Sequence, residues 1–235
     1  MNNSDLFIKE FNSLHDAMQE AAGKGREFYS LLHELKNTHP VVKKYESHID
    51  LARRLRNLLV HESKADSYAI AQPSPELIQE LKLVRMKLEN PEKVSMFKKE
   101  VITLDVTDSL TKVLDLVEKH NITQFPVFNN KHFEGMLSDN GITHWLARVL
   151  GDKVIQLTDV RVKDIIQKDE ELASYIIVSS NMPLYEVEQQ MMAKINRTGN
   201  SKVVVLITPA GNISKKADII GIITPWDMPE IISKL

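Results

Sequence analysis

The chain contains no cysteine. That excludes a disulfide, a thiolate nucleophile and a thiolate metal site, and it agrees with a reducing, cytoplasmic compartment. No apolar stretch approaches the roughly 18 residues that a membrane span requires, so no membrane contact is expected. The opening Met1-Asn2-Asn3-Ser4-Asp5 lacks the basic start and apolar run of a signal peptide. A large excess of one charge is also missing. The net charge of −2 excludes whole-molecule attraction to nucleic acid and leaves room only for a local basic patch. There is no Walker-type glycine loop, Thr198-Gly199-Asn200 reads as a simple turn, and the eight histidines show no metal-ligand spacing. Neither a metal nor a required cofactor is expected.

What is present is ordinary in bulk and informative in pattern. Apolar residues at 43% and charged residues at 26% describe a soluble globular protein, and 235 residues suffice for one large or two small domains with real cores. Up to about Asn90 the apolar positions recur every three or four residues, the spacing of a helix face. Leu6, Phe7, Phe11, Leu14 and Met18 mark a first helix, which Gly23 and Gly25 interrupt. Phe28, Leu31, Leu32 and Leu35 mark a second, ending near Thr38-His39-Pro40. Ile49, Leu51, Leu55, Leu58 and Leu59 mark a third, with Leu51, Leu55 and Leu58 expected to face the core. After a polar loop around Ser63–Pro73, Ser74 is a good N-cap with Pro75 at the first helical position, and this fourth helix runs until Asn90-Pro91. Four such helices with short connections predict an antiparallel bundle.

From about Glu92 short β-branched runs alternate with single helices. Val101–Leu104 reads as a strand and Ser109–His120 as a helix with Leu110, Val113, Leu114 and Val117 on one face. A second round follows, with strands at Tyr175–Val178, Lys202–Ile207 and Ile219–Ile223 and a helix at Leu184–Ile195. The unit is thus β-α-β-β-α, twice. A motif repeats with it: Gly135-Met136-Leu137-Ser138 and Gly221-Ile222-Ile223-Thr224, each after an apolar run and each before a helix. Trp145 and Trp226, just after the two motifs, are expected to pack the module. The second copy has a longer hairpin loop, Thr208–Asp218, where the first turns around Asn129-Asn130-Lys131.

This order, with Gln124-Phe125-Pro126-Val127 in one copy and Gly221-Ile222-Ile223-Thr224-Pro225-Trp226-Asp227 in the other, resembles a tandem pair of CBS domains, a Bateman module. The fold class is therefore α+β, an N-terminal antiparallel helical bundle (1–91) followed by the two CBS motifs (92–158 and 159–235). The resemblance implies a flattened module that binds adenosine-containing ligands in clefts between its motifs and regulates an attached domain. Gly221, Thr224 and Asp227 match the family's ribose-binding pattern. A carboxylate accepts from both ribose hydroxyls, and the threonine hydroxyl meets ribose or phosphate. By the same resemblance Lys202 and Val203 lie against the ligand, with Lys202 reaching a phosphate, and Ile177 and Val178 cover the adenine. Thr and Asp are equally favoured as caps of the last helix. In the first copy Ser138 and Pro126 mark a weaker site, because Gly141 stands where the aspartate belongs.

In the helical half, Leu55-Arg56-Asn57-Leu58-Leu59-Val60-His61-Glu62 resembles the motif of HEPN domains. Many of these are metal-independent endoribonucleases working as dimers, and others are inactive. The resemblance makes Arg56, Asn57 and His61 candidate catalytic residues, the histidine moving a proton at the ribose 2′-hydroxyl and the arginine stabilising the phosphate. Helix geometry puts Asn57 and His61 on one face and Arg56 roughly 140° from His61. The plainer reading is an exposed arginine with a histidine that ends a helix.

Three functions stay open. The first is a cytoplasmic regulator that senses an adenine nucleotide or related adenosyl ligand (AMP, ATP, S-adenosylmethionine or a cyclic dinucleotide) and modulates the helical domain, as a homodimer. The second is a ligand-gated HEPN-type ribonuclease with RNA at the helical domain. The third is a dimerisation or partner-docking module without catalysis.

Overall fold

The structure, a computed structural model, describes residues 2–61, 71–149, 156–167 and 172–234, with His61 described by its backbone alone. The chain divides into two compact units, Met1–Glu92 and Lys93–Lys234.

The first unit is all helix: α1 (Asn3–Ala22), α2 (Phe28–Thr38), α3 (Pro40–Lys44), α4 (Glu46–His61) and α5 (Pro75–Glu89). Helix starts follow local chemistry. The Asn2 side chain accepts from the Asp5 N–H at the head of α1, and Ser74 Oγ accepts from the Leu77 N–H at the head of α5, with Pro75 in its first turn. The periodicity missed α3, one turn that Pro40 starts immediately after α2 ends. The core joins Phe7, Phe11, Leu14, Met18, Phe28, Leu31, Leu32, Leu35, Ile49, Ala52, Leu81 and Val84. On α4 the buried stripe is Ile49 and Ala52, with Leu55 and Leu59 partly buried against the cluster. Leu51 is 48% exposed, and Leu58 is only half-buried. The stripe is rotated from the one expected: Ile49, Ala52, Leu55 and Leu59 recur at three- and four-residue spacing, which puts Leu51 on the outward side.

The second unit holds two sheets of the same topology. In the first, β1 (Leu104–Asp105), α6 (Leu110–His120), β2 (Gln124–Asn129), β3 (His132–Ser138) and α7 (Asp139–Val149) form β-α-β-β-α. β1 pairs parallel with β2, and β2 pairs antiparallel with β3. A short α8 (Val162–Ile166) leads to the repeat: β4 (Tyr175–Ser179), α9 (Leu184–Thr198), β5 (Val204–Thr208), β6 (Gly221–Ile223) and α10 (Met228–Lys234). β4–β5 is parallel and β5–β6 antiparallel. β1 is far shorter than the run Val101–Leu104 suggested, and Leu114 on α6 is 41% exposed rather than packed. The sheets share a core of Phe128 and Met136 from one with Val204, Leu206 and Ile219 from the other.

The repeated glycines have a reason in this architecture. The segment before β1 crosses to the other copy's sheet. The Val94 N–H donates to Met182 O and the Ser95 N–H to Ser180 O, while Lys98 bridges Gly221 and the Lys99 N–H donates to Ile220 O at 3.1 Å. Reciprocally, Leu172, just before β4, accepts from the Met136 N–H on the first sheet at 3.0 Å. A Cβ on Gly221 would lie 2.6 Å from Phe97 O, and one on Gly135 would meet the Leu172 backbone and side chain. Only glycine permits so close a backbone approach.

Candidate ligand cleft

β6 ends at Ile223, and Thr224 turns the chain through a 3-10 turn, Pro225–Asp227, into α10. Asp227 Oδ2 accepts from the Thr224 N–H at 2.7 Å and from Thr224 Oγ1 at 3.0 Å. In return the Asp227 N–H donates to Thr224 O at 3.0 Å. The carboxylate thus holds the turn through one oxygen. In the first copy Ser138 Oγ accepts from the Gly141 N–H at 3.0 Å, so a backbone N–H stands where the second copy has a side chain.

The Thr224–Asp227 turn opens into a cleft of about 1050 Å³. Its walls come from both copies. The lead segment Lys99–Ile102, the α6–β2 connection His120–Gln124 and Asp139 belong to the first; Ser201, Lys202, Ile222 and Thr224–Asp227 belong to the second. Trp226 stands in the wall with 92% of its surface exposed. It does not pack the module as expected, whereas Trp145 does, buried in the first copy's core. Lys202 Nζ lies 3.1 Å from Asp139 Oδ1, an ion pair across the two copies and the partner that a phosphate was expected to take.

Thr224, Asp227 and Lys202 are therefore brought together. The other sequence candidates are not. Val178 is buried in β4, and Val203 is buried just before β5 begins. Ile177 packs against the core shared by the sheets. β5 is covered on both faces, so its neighbours are committed to packing. Pro126 is paired to Met136 inside the first sheet, and Ser138 is 4% exposed. The aliphatic lining is instead Val101, Ile102, Ile122 and Ile222. Asp139 is adjacent to the repeated hydroxyl, which is the one signal that pointed to it.

In the helical unit Arg56 Nη1 donates to Asn57 Oδ1 at 3.4 Å, and Asn57 is exposed. The His61 side chain, Glu62 and residues 63–70 of the expected polar loop lie outside the described residues. Arg53 and Arg54 both pair with Asp50. Among the described residues, no group of three or more His, Asp or Glu side chains is placed to hold a metal, and no helix is long and apolar enough to cross a membrane.

Residues 94–148 match the family model of the CBS domain. This stretch is a CBS domain. No curated protein matches the chain. Similar solved structures include a CBS domain-containing protein from Kribbella flavida, at 16% identity over 61% of this chain and 99% of that one with TM-score 0.43. Another is a CBS domain pair in complex with 5′-methylthioadenosine and S-adenosyl-L-methionine, at 19% identity over 61% and 97% with TM-score 0.42. A third is the CBS domain of a bacterial CNNM/CorC family Mg2+ transporter in complex with ATP, at 16% identity over 66% and 98% with TM-score 0.43.

Proposed function

We propose that residues 92–158 and 159–235 act as a CBS pair that binds an adenosine-containing ligand in this cleft, and that binding regulates the HEPN-like helical domain, residues 1–91, within a homodimer. The observation that carries the reading is the Thr224–Asp227 turn set in a cleft walled by both copies, with the Trp226 ring exposed beside it. Asp227 spends one carboxylate oxygen on the turn and presents the other to a ribose. Trp226 offers a face for the base, and Ile102 and Ile222 supply apolar contact. Because the walls belong to both copies, a ligand that touches both binds one arrangement of them better than another, which is what a population shift requires.

The test is a thermal-shift panel of adenosine, S-adenosylmethionine, AMP and ATP on the wild type and Asp227→Ala, each referred to its own unliganded Tm. At a hundredfold excess over Kd, a bound compound stabilises by about 2.7 kcal/mol. Stabilisation of the wild type but not of Asp227→Ala is expected. Equal shifts in both proteins would place the ligand elsewhere.

The enzymatic alternative draws on Arg56 and Asn57, in hydrogen-bond contact on α4 with Asn57 exposed. RNA cleavage that is lost in His61→Ala would establish it; absence of cleavage with and without adenosine compounds would leave a non-catalytic sensor.

A further inference from the structure

The charge on the cleft walls bears on which adenosine compound fits, an inference that rests on the ligand reading above. The lining sets two ammonium groups, Lys99 and Lys202, against three carboxylates, Glu100, Asp139 and Asp227. Lys202 already has a partner in Asp139, at 3.1 Å and on the opposite copy. A terminal phosphate brings about two negative charges near neutral pH. Placed on Lys202, it displaces Asp139 or shares the ammonium with it, and either way that carboxylate faces the new anion; like charges brought together in a concave site are costly. The nucleoside end meets no such conflict. It is offered the Thr224 hydroxyl, the Asp227 carboxylate, apolar Ile222 and the open Trp226 ring, whose face also attracts a cation.

We infer that the cleft selects a nucleoside without phosphate, its 5′ substituent neutral or cationic, and that Asp139 sets this selectivity by holding Lys202. Isothermal titration of the full chain with adenosine, S-adenosylmethionine, AMP and ATP tests this on the wild type, Asp139→Asn and Asp227→Ala. Asparagine keeps the side-chain oxygen that accepts the Asn140 N–H and removes the charge. In the wild type, adenosine and S-adenosylmethionine should bind at least about tenfold more tightly than ATP, and Asp139→Asn should narrow that gap by about tenfold through tighter AMP and ATP binding. ATP binding as tightly as adenosine, and lost in Asp227→Ala, would overturn the selectivity while leaving the cleft as the site. An unchanged preference in Asp139→Asn would remove Asp139 from the argument. If nothing binds, or if binding survives Asp227→Ala, the ligand reading fails and this inference with it.

Discussion

Replacing Gly221 by alanine tests how the two copies are joined. The new Cβ would sit 2.6 Å from Phe97 O, 2.9 Å from Ile207 Cδ1 and 3.2 Å from Lys98 Cα. The first separation is closer than carbon and oxygen approach, and the atom in the way is backbone, which has no rotamer to give. Overpacking of this kind costs about 1–3 kcal/mol. If the lead segment withdraws instead, the Lys99 N–H loses its bond to Ile220 O, worth about 1 kcal/mol. A loss of about 1–3 kcal/mol is expected by either route. Both tryptophans, Trp145 and Trp226, lie in the second unit, so their fluorescence follows its urea unfolding without signal from the helical unit. With m of about 2 kcal/mol/M in urea, the midpoint should fall by about 0.5–1.5 M. Gly135→Ala should lose more, because its φ of +142° adds backbone strain to the contact with Leu172. A Gly221→Ala midpoint unchanged from wild type would refute the crossed lead segment.

Two further predictions concern the helical unit. His39 is 8% exposed, and burial holds its imidazole pKa below the ordinary 6.5. The folded ring stays neutral while the unfolded chain takes up a proton below about pH 6.5, so this contribution to stability is full above that pH and is lost as pH falls towards the lower folded pKa. Far-UV circular dichroism melts should therefore show a falling Tm in acid with a weaker pH slope in His39→Leu; identical slopes would exclude His39 as the cause. Arg85 on α5 reaches Glu10 on α1 and, at 2.7 Å, Glu89 on its own helix. With these groups partly exposed, Arg85→Ala should cost about 1–2 kcal/mol in the same melts, and Arg85→Lys should recover only part because it lacks the planar fork. Full recovery by lysine would mean that charge alone matters there.

The helical elements were legible because their apolar spacing is local, down to Ser74 and Pro75 opening α5. The repeated unit was legible for the same reason, since strand, helix and turn signals recur in order. The failures are non-local. Val101–Thr103 carries the composition of a strand, yet the chain just before it is hydrogen-bonded to the other copy's sheet, and only Leu104–Asp105 joins its own. The glycines stood out as a repeat, but the backbone that each one admits comes from the opposite copy. At the cleft, the Thr224–Asp227 turn could be read from a pattern seven residues long, Gly221 to Asp227. Its apolar walls could not, because β5 is buried on both faces, so composition does not say which residues of that sheet reach a ligand. Trp226 misled for a related reason: an indole is usually buried, and this one stands open in the cleft wall.

The claim that an adenosine compound occupies the cleft between the copies is tested most directly by the fluorescence of Trp226. It is exposed beside Asp227, whereas Trp145 is buried in a core away from the cleft lining. Titration with adenosine should change the intensity and shift the emission to shorter wavelength in a saturable manner, as stacking removes the indole from water. The change should vanish in Trp226→Phe and in Asp227→Ala. No change with any of adenosine, S-adenosylmethionine, AMP or ATP, or a change that persists in Asp227→Ala, would contradict the account.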